Sequence, residues 1–156
     1  MLRYILTMLL LVVASPHVAS AQSVRTVLSA FELLGSWSRD CVQAPAVDNQ
    51  RLTFSAPEEG YGTLNYDFGQ TNAPKNFVIM RATDLSAERV LIHEYQPNDN
   101  SLIDTVFQRL DAKIRIVWSR ESDSGKVLIP NDTTASSGTT ENWLSSCQLL
   151  SGTPRN

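Results

Sequence analysis

The sequence predicts an all-β fold: an antiparallel up-and-down barrel or strongly curled sheet of about eight strands behind a short N-terminal helix. Three observations carry this. Short stretches of alternating apolar and polar residues start every 10 to 15 residues or so, each bounded by Gly, Pro, Asn, Asp or Ser. The connection Asp111-Ala112 between two such stretches is short enough to require a hairpin. About eight strands can curl until no sheet edge is left free.

Residues 1–21 read as a signal peptide. Arg3 gives the positive start, Ile5 to Ala14 is apolar apart from Thr7, and Ala19-Ser20-Ala21 is a small-x-small cleavage signal. The apolar run is too short to span a bilayer, so the expectation is a product of the periplasm or the medium with no membrane span. The remaining 135 residues are enough for one domain, expected over 22–150, with a disordered tail at 151–156. The formal charge of −3 becomes −4 once Arg3 leaves, with no basic run. Such mild acidity offers no footprint for nucleic acid. Cys41 and Cys147 are the sole cysteines, and in an oxidising compartment they are expected to form one disulfide.

In chain order, Val24, Val27, Leu28, Phe31 and Leu34 recur at helical spacing, with Ser23 placed to cap the start and Gly35 to end the helix. From Gly35-Ser-Trp37 the period falls to two, which puts Trp37, Arg39 and Cys41 on one strand face. Trp37 is expected in a buried, structural seam. After a loop over Val42 to Gln50 comes a strand, Arg51 to Ser55, with Leu52 and Phe54 on one face. The clearest alternation follows, with Leu64, Tyr66 and Phe68 inward and Thr63, Asn65 and Asp67 outward.

Asn76 to Thr83 and Glu88 to Tyr95 differ, because Phe77-Val-Ile-Met80 and Val90-Leu-Ile92 are apolar on both faces and so call for a cover on both, the helix being one available. Leu102 to Leu110 and Lys113 to Arg120 make the hairpin, the second placing Ile114, Ile116 and Trp118 against Arg115, Val117 and Ser119. Lys126 to Ile129 is the eighth strand. Residues 131–140, rich in Asp, Ser, Thr and Gly, are expected to form a mobile loop before Trp143 to Cys147 returns to the body.

With its Leu34-Gly35-Ser-Trp37 segment, a helix leading into a Gly-x-Trp strand ahead of a meander, the chain resembles the lipocalin and calycin superfamily. That resemblance implies a barrel closed at one end by the helix and Trp37, with a late arginine packed over the Trp, for which Arg120 is the nearest candidate. It extends to small secreted bacterial barrels, among them periplasmic metalloprotease inhibitors.

Catalytic chemistry finds little support. His93 is the one histidine after the leader, and its neighbour Glu94 points to the opposite strand face. Asp40, Asp67, Glu94 and Asp104 supply carboxylates without a motif, and Gly60-Tyr-Gly62 lacks the third glycine of a nucleotide loop. The expectation is a binding module without enzymatic activity or cofactor, holding a small apolar ligand against Leu64, Tyr66, Phe68, Ile114, Ile116 and Trp118. The competing expectation is an interaction or inhibitor domain whose partner is an envelope protein, met through the apolar outer faces near 77–80 and 90–92 or through the 131–140 loop.

Overall fold

The computed structural model describes residues 22–70, 72–129 and 143–150. The expected signal peptide, the 131–140 loop and the 151–156 tail lie outside the described residues. A helix, α1 (Val24–Ala30), precedes β1 (Gly35–Ser38), β2 (Arg51–Ser55), β3 (Gly62–Asp67), β4 (Lys75–Ser86), β5 (Arg89–Gln96), β6 (Ser101–Leu110), β7 (Lys113–Glu121), β8 (Val127–Ile129) and β9 (Leu144–Ser146). Strands β1 to β7 pair in sequence order, all antiparallel, and β9 joins β7 back to β1. The result is a closed barrel of eight strands. The eighth member of the ring is β9, while the expected eighth strand, β8, pairs with the far end of the same edge of β7.

Closure is thin where β9 enters. It pairs with β1 through Trp37↔Ser146 and Ser38↔Ser145, and with β7 through Lys113↔Ser145 and Ile114↔Leu144. Cys41 and Cys147 are joined, with Cα atoms 5.2 Å apart, and fasten the chain just beyond those short ladders. Cys41 itself lies outside β1, which stops at Ser38, so the expected Trp37, Arg39, Cys41 alternation does not run its full length. The intervening loop is folded around Asn49, whose side chain receives Ser38 Oγ and Asp40 N and donates to the carbonyls of Asp40 and Ala44.

Ser23 caps the helix as expected, its hydroxyl accepting from Thr26 N. The helix stops earlier than the apolar spacing predicts. Glu32 takes the left-handed conformation (φ 54°), Leu33 N donates to Leu28 O and Glu32 N to Ser29 O. This is the six-to-one and five-to-two bonding of a Schellman cap, with fully buried Leu28 and Leu33 as its apolar contact. Gly35 therefore does not cap the helix. It opens β1 at φ 110°, where a Cβ would fall 1.9 Å from the Gln148 amide.

Helix α1 plugs one end of the barrel. Val24, Val27 and Leu28 are buried, a Cβ at Gly62 would sit 3.0 Å from Val24, and Arg25 donates to Ala56 O. Trp37 is 3% exposed and donates from Nε1 to Leu33 O at 2.8 Å, in the buried seam the sequence predicts. Below the plug the interior is solid: Leu52, Phe54, Leu64, Ile79, Ile92, Phe107 and Ile114 are fully buried, with Phe54 edge-on to Phe107 at 5.3 Å.

Two register shifts redirect side chains. In β4, Ile79 faces Glu94 but Arg81 faces His93, so Met80 is an extra residue and lies exposed. In β7, Ile116 faces Phe107 while Trp118 faces Val106, which leaves Val117 unpaired and turned inward. The helix, sitting at the barrel end, does not cover the outer faces of β4 and β5. Val78 and Leu91 there are half-buried, in place of the two-sided burial their sequence calls for.

Candidate functional site

At the end opposite the helix the barrel is hollow. A cavity of about 730 Å³ opens there, walled by Tyr66 from the end of β3 and Phe68 just beyond it, Phe77 from β4, Glu94 and Gln96 from β5, Ile103 and Thr105 from β6, and Ile116 and Ser119 from β7. Lys75, Asp99, Glu121 and Leu128 stand among the lining residues toward the mouth. The size is that of a small-molecule site, and the wall sets aromatic and aliphatic side chains beside at least as many polar and charged ones, Gln50 and Ser101 among them.

Of the six residues expected to line such a site, Tyr66, Phe68 and Ile116 do. Tyr66 stacks beside Phe68 at 6.2 Å and meets Phe77 edge-on at 5.3 Å, giving one aromatic wall. Leu64 and Ile114 point inward but belong to the solid half. Trp118 does not share their face. The extra residue at Val117 reverses the alternation, so Ser119 faces in and Trp118 faces out beneath Arg120, whose Cζ lies 5.1 Å from the ring. Arg120 accordingly packs on Trp118 and not on Trp37, contrary to what the superfamily resemblance implies.

Glu94, which the sequence offers only as one of four carboxylates without a motif, lies in the cavity wall. It is 1% exposed, flanked across the sheet by Ile79 and Ile103, and its Oε1 has no hydrogen-bond partner. Burial pushes its pKa up to about 8, against a hydrogen bond from Thr105 that favours the ionised form. The carboxyl therefore holds a proton at neutral pH. The pKa of the half-buried Tyr66 hydroxyl is raised well above its ordinary range, first by loss of water and then by the charge of Glu94. A signal existed in the sequence, since Val90, Ile92, Glu94 and Gln96 continue one period-two row, every member of which is buried.

On the outer surface His93 has a carboxylate partner after all, from the facing strand. Its Nδ1 lies 2.5 Å from Asp104 Oδ1, and Arg81 Nη2 lies 2.8 Å from Nε2. With the guanidinium donating to Nε2, Nδ1–H donates to Asp104, and neither ring nitrogen is left to take a proton from a nucleophile. Arg120 approaches the other Asp104 oxygen at 3.4 Å. The cluster clips three neighbouring strands, β4, β5 and β6, to β7. Among the described residues no group of three or more His, Cys, Asp or Glu is placed to hold a metal ion, and no helix is long and apolar enough to cross a membrane.

No protein-family model, curated protein or solved structure matches the chain.

Proposed function

We propose that the protein is an exported, lipocalin-like binding module that holds a small, largely apolar molecule in the open half of its barrel, without catalysing a reaction. The observation that supports this reading is the division of the interior. The helix end is filled by its own side chains, and the other end leaves about 730 Å³ lined by Phe68, Phe77, Ile103 and Ile116. A barrel that needed only a core would gain stability by filling that space.

An apolar fluorophore such as 1-anilinonaphthalene-8-sulfonate should bind with one-to-one saturation and brightened emission. Ile116→Trp, which puts bulk into the cavity, should weaken it at least tenfold while circular dichroism stays unchanged. A folded protein with no saturable binding would refute the reading.

A second reading, an interaction or inhibitor domain, draws support from an outer groove of about 380 Å³ between Val78, Met80, Tyr95 and Leu102, where Met80 is 42% exposed. Loss of probe binding on Ile116→Trp separates the two sites, because Ile116 lines the cavity and not the groove.

A further inference from the structure

Of the three acids that line the cavity, Glu94 alone is buried. Its Oε1 is buried and unpartnered, and the residue stands between two isoleucines in the cavity wall, an arrangement that costs stability unless a polar partner reaches the carboxyl. We propose that the cavity takes an organic amine with an apolar body, its ammonium paired with the Glu94 carboxyl and its body against Phe68, Phe77, Ile103 and Ile116. The inference rests on the cavity-binding reading above and assigns the chemical class of the ligand.

The choice of a cation over an anion or a neutral acceptor follows from the groups that face the same space. The titratable side chains lining it are Glu94, Tyr66, Asp99, Glu121 and Lys75, so three carboxyls meet one amine. Lys75 is exposed at the first position of β4, whereas Glu94 is buried deep on the wall. Asp99 and Glu121 attract a cation toward the cavity, and Thr105 holds the carboxylate once it is formed. Gln96, buried beside Glu94 in the same row, adds an amide oxygen that can accept a second N–H from the ammonium.

Binding then moves a proton. The empty site holds a neutral carboxyl at pH 7, since burial sets its pKa near 8. An ammonium that pairs with the carboxylate expels that proton to solvent, and a probe amine with pKa of about 10 keeps its own. Affinity for the amine must therefore rise with pH, by about tenfold per unit well below pH 8, and level off above it. A ligand that accepts a hydrogen bond from the neutral acid would show the opposite trend.

The test is calorimetric titration of the intact, oxidised protein with 4-phenylbutylamine, 4-phenylbutanol and 4-phenylbutyrate at pH 6, 7 and 8. The amine is expected to bind at least tenfold tighter than the alcohol at pH 8, to tighten as pH rises, and to release about 0.9 proton at pH 7 in buffers of different ionisation enthalpy. Glu94→Gln should bring amine and alcohol to similar affinity and abolish the pH slope, with alcohol binding retained. Equal binding of amine and alcohol by the wild type, or tightest binding of the butyrate, overturns the amine assignment while leaving cavity binding intact. If none of the three binds, both readings fall. The wild-type series and its pH slope decide the matter independently of how the variant folds.

Discussion

The buried acid makes a prediction about stability that needs no ligand. Folded, Glu94 keeps its proton up to about pH 8; unfolded, it loses it near the ordinary value of 4.5. Between those limits the native state binds more protons than the unfolded state, so the contribution of Glu94 is least unfavourable below pH 4.5 and becomes steadily more destabilising as pH rises through 8. At 1.36 kcal/mol per pKa unit the full span corresponds to about 5 kcal/mol, an upper bound because water in the cavity relaxes around the carboxylate. Glu94→Gln keeps the shape and removes the titration. Urea unfolding under non-reducing conditions at pH 5, 7 and 9 should find variant and wild type within ~1 kcal/mol at pH 5. The variant should then lead progressively, by several kcal/mol at pH 9. Other groups titrate in both proteins and cancel in the difference. A difference that stays constant across this range would show that Glu94 is not a buried acid, and the account of the cavity would fail with it.

Two further outcomes concern the closure of the barrel. Reducing Cys41–Cys147, which closes a separation of 106 residues, should lower stability by up to ~4.7 kcal/mol on chain-entropy grounds and release β9 first, detectable as early loss of amide protection at Leu144 to Ser146; unchanged melting under reducing agent counts against it. Trp37→Ala removes a fully packed indole and its bond to Leu33, and should cost ~3 to 5 kcal/mol, a fall in Tm of about ten degrees or more; a variant melting within a degree or two of wild type would show that Trp37 is not part of the core seam.

The barrel was legible in the sequence because its evidence is local. The Leu64, Tyr66, Phe68 row, the Asp111-Ala112 hairpin and the Ser23 cap each depend on residues a few positions apart. What escaped depends on a partner across the sheet. Val117 reads as an ordinary outward residue until Val106 and Phe107 are laid beside it, and that single extra position carries Trp118 from the inner face to the outer. The Schellman cap at Glu32 is equally hidden, since glycine is the usual residue there and one stands three positions later, at Gly35. Leu144 to Ser146 is too short to announce itself as a strand. Its neighbours β1 and β7 and the bridge to Cys41 make it one.

Whether the interior is hollow or filled was the question local patterns could not reach, and its answer lies in how inward rows change along the barrel axis. From the helix end outward, β5 presents Val90, Ile92, Glu94 and Gln96, a row that turns polar toward the mouth, and β6 presents Phe107, Thr105, Ile103 and Ser101, a row that alternates. At the two middle levels an apolar residue of one strand faces a polar one of the other: Ile92 pairs with Thr105 and Glu94 with Ile103, while Thr105 pairs in turn with Ser119 of β7, their hydroxyls 3.2 Å apart. Fully buried Val90, Ile92 and Phe107 fill the closed end, whereas at the open end Gln96, Ser101 and Ser119 share the cavity wall with Tyr66, Phe68 and Phe77. Glu94 sits where the two regimes meet, close enough to the packed half to lose its water and close enough to the open half to face a ligand.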